Sequence, residues 1–408
     1  MKISCWVGCC LPVLVGAGLV LSTADQVTFN ASHDEGYYLA YATTIAQDGV
    51  GGFRGCFQEY LRYSAQHQYF PSPLRLTTIL LDALAVRLEG PSFRSLQHLS
   101  LLAFLILLVL VFDLVRRTFS DATAFLTVLL LATSPLHLAM ARRALSDSLL
   151  ATLMVACLGL CFEALRSSTY PLRRLGVIAG MFTVALLARE SMVILIPIAL
   201  TLICVWTVSE KRPVPLGLIC AVSIVPLTFS ALLAVAAAGT PTMAWRTLVT
   251  VTEALKTNQY AMQFGQGPWF RYVLDYLLLS PWTTLLYLLW LGALLGTKVR
   301  DSVRWYWALI PILFVGLSAP ATKNVRYALL LETPLRLGAV LFLQQTLRNR
   351  QGQHRTRVWV TLAVLGIACY DVQTFQTVVV QQHLYDPVSF RLLQGRHIVP
   401  REAVVPQK

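Results

Sequence analysis

Apolar residues in this chain gather into long runs almost free of charge instead of alternating with polar ones. The runs cover 3–22, 97–115, 119–137, 148–165, 173–188, 191–208, 214–237, 281–297, 305–319, 327–346 and 358–377. A helix that crosses a bilayer needs about 20 mostly apolar residues, because the hydrocarbon is about 30 Å thick and each helical residue rises about 1.5 Å. Backbone groups in hydrocarbon have no water to bond, so each run is predicted as a helix. The pattern therefore predicts an all-α polytopic membrane protein with about eleven transmembrane helices, within a range of roughly ten to thirteen. Tryptophans such as Trp6, Trp206, Trp245, Trp282 and Trp359 fall at or near run ends, where an amphipathic ring favours the interface.

The polar residues between the runs set the orientation. With the N-terminus in the cytoplasm, the short inner connections hold Arg116-Arg117, Arg166, Arg173-Arg174, Lys211-Arg212, Lys298, Arg300, Arg304, Arg348, Arg350, Arg355 and Arg357. That is the bias expected of cytoplasmic loops. Two long segments, 23–96 and 238–280, then lie outside, as does the tail 378–408. The stretch 73–89 is apolar but contains Arg75, Asp82 and Arg87. As a span it would invert every later helix and turn Arg116-Arg117 outward, so it is predicted to lie in the interface. Residues 1–377 form the membrane domain. The run 3–22 lacks a clear small-x-small cleavage site, and a retained first helix is expected.

Composition agrees: 56% of the 408 residues are hydrophobic and 13% are charged. A soluble protein needs more charge to cover its surface. The formal charge of +13 reads as topology and attraction to anionic lipid. No soluble domain is left to hold nucleic acid. The cysteines show no CxxC pair and no disulfide framework.

Four polar features stand at the predicted outer surface. The first is Ser32-His33-Asp34-Glu35-Gly36-Tyr37-Tyr38, which opens a helix-like stretch to Asp48. Ser32 with Glu35 reads as a capping box, and Asp34 suits the first turn. A capped helix end is also a rigid place to hold a general base or a metal ligand. The second feature is Arg142-Arg143-Ala144-Leu145-Ser146-Asp147. Either Arg143 and Asp147 form an i, i+4 pair, or Arg142 and Asp147 share the surface of Asp34. The third is Arg189-Glu190, between two apolar runs, where charges rarely face lipid. The fourth is Lys323-Asn324-Val325-Arg326-Tyr327. Two cations and a phenol can hold a phosphate; they also suit a snorkelling interface anchor. Their common depth fits a substrate with its charged head at the bilayer surface and its tail in lipid.

In this order the chain resembles the GT-C membrane glycosyltransferases, most of all the protein O-mannosyltransferases and the lipid A aminoarabinose transferases. The resemblance is carried by Asp34-Glu35-x-x-Tyr38, Pro73-Leu74, Ser134-Pro135, Arg142 five before Asp147, and Lys323-x-x-Arg326-Tyr327 with Pro334. It implies an inverting transferase that takes a sugar from a polyprenyl-phosphate lipid and passes it to a lipid, glycan or protein acceptor. The site would face the outer side of a plasma membrane, bacterial by the resemblance. It implies Asp34 as base, with Glu35 and Asp147 orienting the site or holding a cation. Arg142, Arg189, Lys323, Arg326 and Tyr327 would neutralise the donor phosphate. A divalent metal stays open, with Asp34 and Asp147 as its ligands. Where aminoarabinose transferases carry a Lys before the interfacial Pro this chain has Ser72, so that phosphate contact is either missing or supplied elsewhere, by Arg75 or by Arg271. Two rivals remain at this level. One is an envelope polysaccharide polymerase or ligase working through Arg246, Lys256 and Arg271. The other is a transporter, which would place broken helices at the midplane.

Overall fold

The structure is a computed structural model that describes residues 3–29, 33–64, 70–257, 268–296, 301–318, 324–348 and 353–383. It is helical throughout the regular elements described. All eleven apolar runs fall in helices. Helix α1 covers Ile3–Leu21, α5 Phe93–Thr118, α6 Asp121–Ala132, α7 Pro135–Ala141, α8 Asp147–Ser167 and α9 Leu172–Ala188. Then come α10 Leu195–Ser209, α11 Leu216–Val222, α12 Ile224–Ala238, α15 Pro281–Gly296, α16 Ser302–Leu317, α17 Glu332–Arg348 and α18 Gln353–Thr374. Between them lie the connecting helices α2 Asp34–Asp48, α3 Gly52–Ser64, α4 Leu76–Glu89, α13 Pro241–Thr257 and α14 Arg271–Leu279.

Among the described residues seven segments are long and apolar enough to cross a membrane by length and composition, and a bent pair raises the number to eight. The chain is an integral membrane protein. The pair is α6 and α7, read from the sequence as the single run 119–137 and bent by 61°. Pro135 has no N–H to continue α6, and Ser134 caps the new helix by accepting from His137 N at 3.3 Å. The apolar helices α15 and α16 have 16 residues each. At about 1.5 Å per residue that is about 24 Å, short of the hydrocarbon thickness.

Helix α1 packs on α5 and α6, α8 lies between α5 and α9, and α17 sits against α6, α15, α16 and α18. The α15–α17 approach is close. A Cβ on Gly338 would come within 2.5 Å of the Trp290 ring and 2.7 Å of Tyr287, so only glycine fits there. The stretch 73–89 gives α4, whose 14 residues are too few to span. It is packed on α2, α5 and α9. Thr77 and Thr78 fasten it to α9 by donating to the Val184 and Ala188 carbonyls at 2.9 and 2.8 Å. Helix α4 thus bridges α2 and the end of α9, two places where the sequence put charge.

Candidate functional site: a carboxylate ringed by guanidiniums

The four polar features lie at helix ends, and the fold brings three of those ends together. Asp34 opens α2, with His33 as its N-cap residue. Its carboxylate is 3.5 Å from Nη1 of Arg326, which stands in the 3-10 turn Val325–Leu331 leading into α17. Asn324 caps that turn by accepting from Arg326 N at 3.0 Å. Asp147 opens α8 and is buried; it accepts from Arg189 Nη1 at 3.0 Å. Arg189 follows the end of α9, and its guanidinium lies over the Tyr327 ring at 4.5 Å. The first, third and fourth features thus meet around Asp34, Arg189, Arg326 and Tyr327, with Asp147 behind Arg189. Lys323 lies outside the described residues.

Arg75 joins this set from the start of α4. Its Nε donates to Glu190 Oε2 at 2.9 Å, and its Nη1 donates to the Tyr38 hydroxyl. Three guanidiniums, of Arg75, Arg189 and Arg326, act on Asp34. Burial works to raise the Asp34 pKa, but Arg326, Arg75 and Arg189 together hold the carboxyl below the usual carboxylate range. Burial pushes the Tyr38 phenol up, so it stays protonated. Asp34 keeps 39% of its side chain exposed, whereas Asp147 keeps 3%. Of the two, Asp34 is the carboxylate open to a substrate.

Glu35 and the 142–147 turn are arranged differently from the sequence reading. Glu35 is 1% exposed; its Oε1 accepts from Arg143 Nε at 2.6 Å and from the Ala144 amide at 3.3 Å. Arg143 therefore pairs with Glu35, and Asp147 with Arg189, in place of an Arg143–Asp147 helix pair. Glu35 ties the turn to α2. Arg142 is fully buried, donates from Nη2 to the Thr23 carbonyl at 2.6 Å and lies over the Phe375 ring at 5.4 Å. These contacts face the end of α1 and the C-terminal helix, and none of them reaches Asp34.

Among the described residues no group of three or more His, Cys, Asp and Glu could hold a metal ion. Asp34 and Asp147 each face an arginine. In the long segment 238–280 Arg246 is exposed, while Arg271 is buried 3.9 Å from Asp275. The Lys256 side chain lies outside the described residues. Sequence reasoning did not put Tyr38 and Glu190 on the site list. The available signals were the Tyr at i+4 from Asp34 and the acid beside Arg189.

A second polar cluster lies in the helix bundle. Arg336 of α17 donates to Glu332 at 2.5 Å, to Asp371 of α18 at 2.6 Å and to Ser280 at 3.1 Å. Arg336, Glu332 and Asp371 are all 2% exposed or less at their side chains.

Comparison with known proteins places the architecture. A model of the dolichyl-phosphate-mannose-protein mannosyltransferase family matches residues 77–230. No curated protein matches the chain by sequence. Among solved structures it resembles the Archaeoglobus fulgidus oligosaccharyltransferase tethered to an acceptor peptide, with a TM-score of 0.62 at 13% identity over 92% of this chain and 55% of that one. It also resembles the oligosaccharyltransferase AglB of the same organism in complex with an inhibitory peptide and a dolichol-phosphate (0.58, 13%, 93% and 56%). A third is ArnT from Cupriavidus metallidurans bound to undecaprenyl phosphate (0.52, 16%, 98% and 74%). The chain thus spans just over half the length of the two archaeal proteins and about three quarters of ArnT. Its fold is that of the GT-C membrane glycosyltransferases.

Proposed function

We propose that this GT-C chain is an inverting glycosyltransferase that moves a sugar from a polyprenyl-phosphate lipid to an acceptor hydroxyl at the outer membrane face. The observation that carries the reading is the convergence of Arg75, Arg189 and Arg326 on Asp34, the most open carboxylate of the set. The mannosyltransferase family match, and the dolichol-phosphate and undecaprenyl phosphate in the similar structures, support a lipid phosphate as the donor head. The basic inner loops support a site on the outer side.

The chemistry follows from charge. In the donor the phosphate is a diester with one negative charge. As the acceptor oxygen bonds to the anomeric carbon, the carbon–oxygen bond to phosphate breaks and the leaving lipid phosphate gains a second charge. Fixed guanidiniums stabilise that developing charge more than the ground state, which is the condition for catalysis. Asp34 takes the acceptor proton. It loses one negative charge as the phosphate gains one, so the site's net charge does not change during the step. Tyr38 and Glu190 hold Arg75, and Asp147 holds Arg189, so the cations are fixed before the donor arrives. A single base and a direct displacement give inversion at the sugar carbon.

Asp34→Asn tests this. It is expected to lower transfer from a polyprenyl-phosphate sugar by about 10²–10⁴-fold, the usual worth of a positioned base, while the protein accumulates in membranes as before. Full transfer by that variant would remove Asp34 as the base.

A further inference from the structure

Arg189 is in extended backbone, with φ −165° and ψ 143°, so its side chain and that of Glu190 leave the chain in different directions. Arg189 goes to Asp147 and Tyr327, and Glu190 goes to Arg75. Only half of the Glu190 carboxylate is used. Oε2 accepts from Arg75, while Oε1 is buried and has no hydrogen-bond partner among the described residues. Glu35, Asp147 and Asp34 also each pair with an arginine, but none of them leaves a buried oxygen without a partner among the described residues, and a buried carboxylate oxygen left unbonded is unfavourable.

We infer that Glu190 Oε1 is a donor-sugar contact, accepting a hydrogen bond from a ring hydroxyl of the sugar while Oε2 keeps Arg75 at the phosphate. This inference rests on the proposed function and deepens it by assigning a residue to the sugar itself. A sugar whose phosphate is held by Arg75 and Arg189, and whose anomeric carbon faces Asp34, lies beside Glu190. Hydroxyl groups are what a sugar offers there, and a carboxylate oxygen is the acceptor that suits them. Arg75 stands between Glu190 and the phosphate, which removes the repulsion two anions would otherwise feel. The Glu190 side chain is 18% exposed, and its last torsion is soft, so a small rotation presents Oε1 to a ligand. The same contact would make Glu190 a determinant of which sugar is accepted, because a site built to bond a hydroxyl rejects a sugar that lacks it.

The test compares two ligands on the full-length protein in lipid nanodiscs. One is bare undecaprenyl phosphate. The other is undecaprenyl phosphate carrying mannose, glucose, galactose or aminoarabinose, whichever the wild-type protein binds most tightly. Glu190→Ala is expected to weaken the sugar-bearing lipid by roughly ten- to hundredfold, the worth of a hydrogen bond to a charged group, with a much smaller effect on bare lipid phosphate. Glu190→Gln, which keeps an acceptor oxygen, is expected to fall between wild type and Ala and decides the matter should the Ala protein fail to accumulate. Equal losses on both lipids would overturn the inference, because Glu190 would then act only by holding Arg75. No loss on either would overturn it as well. A wild-type protein that bound neither lipid would overturn the glycosyltransferase reading and this inference with it.

Discussion

Two clusters of buried and half-buried charge stand out among the described residues, and they are built to opposite ends. Around Asp34 each arginine has one carboxylate partner, the charges come from five separate segments, and Asp34 keeps 39% of its side chain open. Around Arg336 a single guanidinium binds two carboxylates and a hydroxyl, and none of the charged side chains is more than 2% exposed. The first cluster has hydrogen-bonding capacity left for a visitor. The second uses its capacity to join α17, α18 and the α14–α15 corner at Ser280. Charge in a membrane protein is expensive in either place. In the second cluster it is offset by the hydrogen bonds that join these helices; in the first, a ligand takes that part under the proposed function.

The sharpest way to separate the clusters is to delete one arginine from each. Arg336→Ala leaves Glu332 and Asp371 buried without their cation. Breaking a buried pair in this way costs about 3–5 kcal/mol, so the variant is expected to accumulate poorly and melt at lower temperature in detergent. Arg326→Ala leaves a carboxylate that water can still reach. It is expected to accumulate normally and to lose donor affinity by roughly ten- to hundredfold, the worth of a charge-assisted hydrogen bond. Normal accumulation and melting of Arg336→Ala would end the distinction between a closed and an open cluster.

Much of this was legible in the chain, for a physical reason. The bilayer imposes a fixed length and apolarity on a span, so all eleven runs were readable as helices. The charges Arg75, Asp82 and Arg87, and the outward turn that another span would force on Arg116-Arg117, kept 73–89 out of the count of spans. Asp34, Arg189, Arg326 and Tyr327 were found because charge at a span end is hard to explain by packing. The choice between Arg142 and Arg143 was not legible. They are adjacent and identical in charge, and only the turn geometry sends one to Phe375 and the other to Glu35. Glu190 was read with Arg189 as one dipeptide, but extended backbone gives the two residues separate partners. The Arg336 cluster went unread although Arg336 and Asp371 both interrupt apolar runs. Their pairing spans 35 positions, and no local spacing announces it. The bend at Thr133–Pro135 was hidden for a similar reason: the run stays apolar through it, and only Pro135 and its Ser134 cap mark the break.

A smaller effect sharpens the open cluster. Arg326, Arg75 and Arg189 hold the Asp34 carboxyl below the usual carboxylate range, against the upward push of burial. A lowered pKa keeps the base ionised as pH falls, so activity is lost only when pH drops through that lowered value. Once a donor phosphate shares the three guanidiniums, their hold on Asp34 weakens and its pKa rises. The acid limb of kcat/KM, which reports the free protein, is therefore expected at lower pH than the acid limb of kcat, which reports the donor complex. Coincident limbs would mean that the cations acting on Asp34 are not those that hold the phosphate.

The smallest expected effect concerns His137, beside the closed cluster. Its ring is fully buried and stacks on Phe104 with centroids 5.5 Å apart. Neither ring nitrogen has a hydrogen-bond partner among the described residues. A buried histidine invites a catalytic reading, yet this one has neither access to solvent nor a hydrogen-bonded partner among the described residues to exchange a proton with. His137→Phe keeps a flat ring of similar size and removes two unsatisfied nitrogens, whose burial is worth about 1 kcal/mol or more. The variant is expected to melt at the wild-type temperature or slightly above it, with transfer unchanged. The helix start should survive, because Ser134 bonds the backbone of residue 137 and not its ring. A variant that folds normally but loses transfer would show that the closed region takes part in the chemistry, and the division between the two clusters would have to be redrawn.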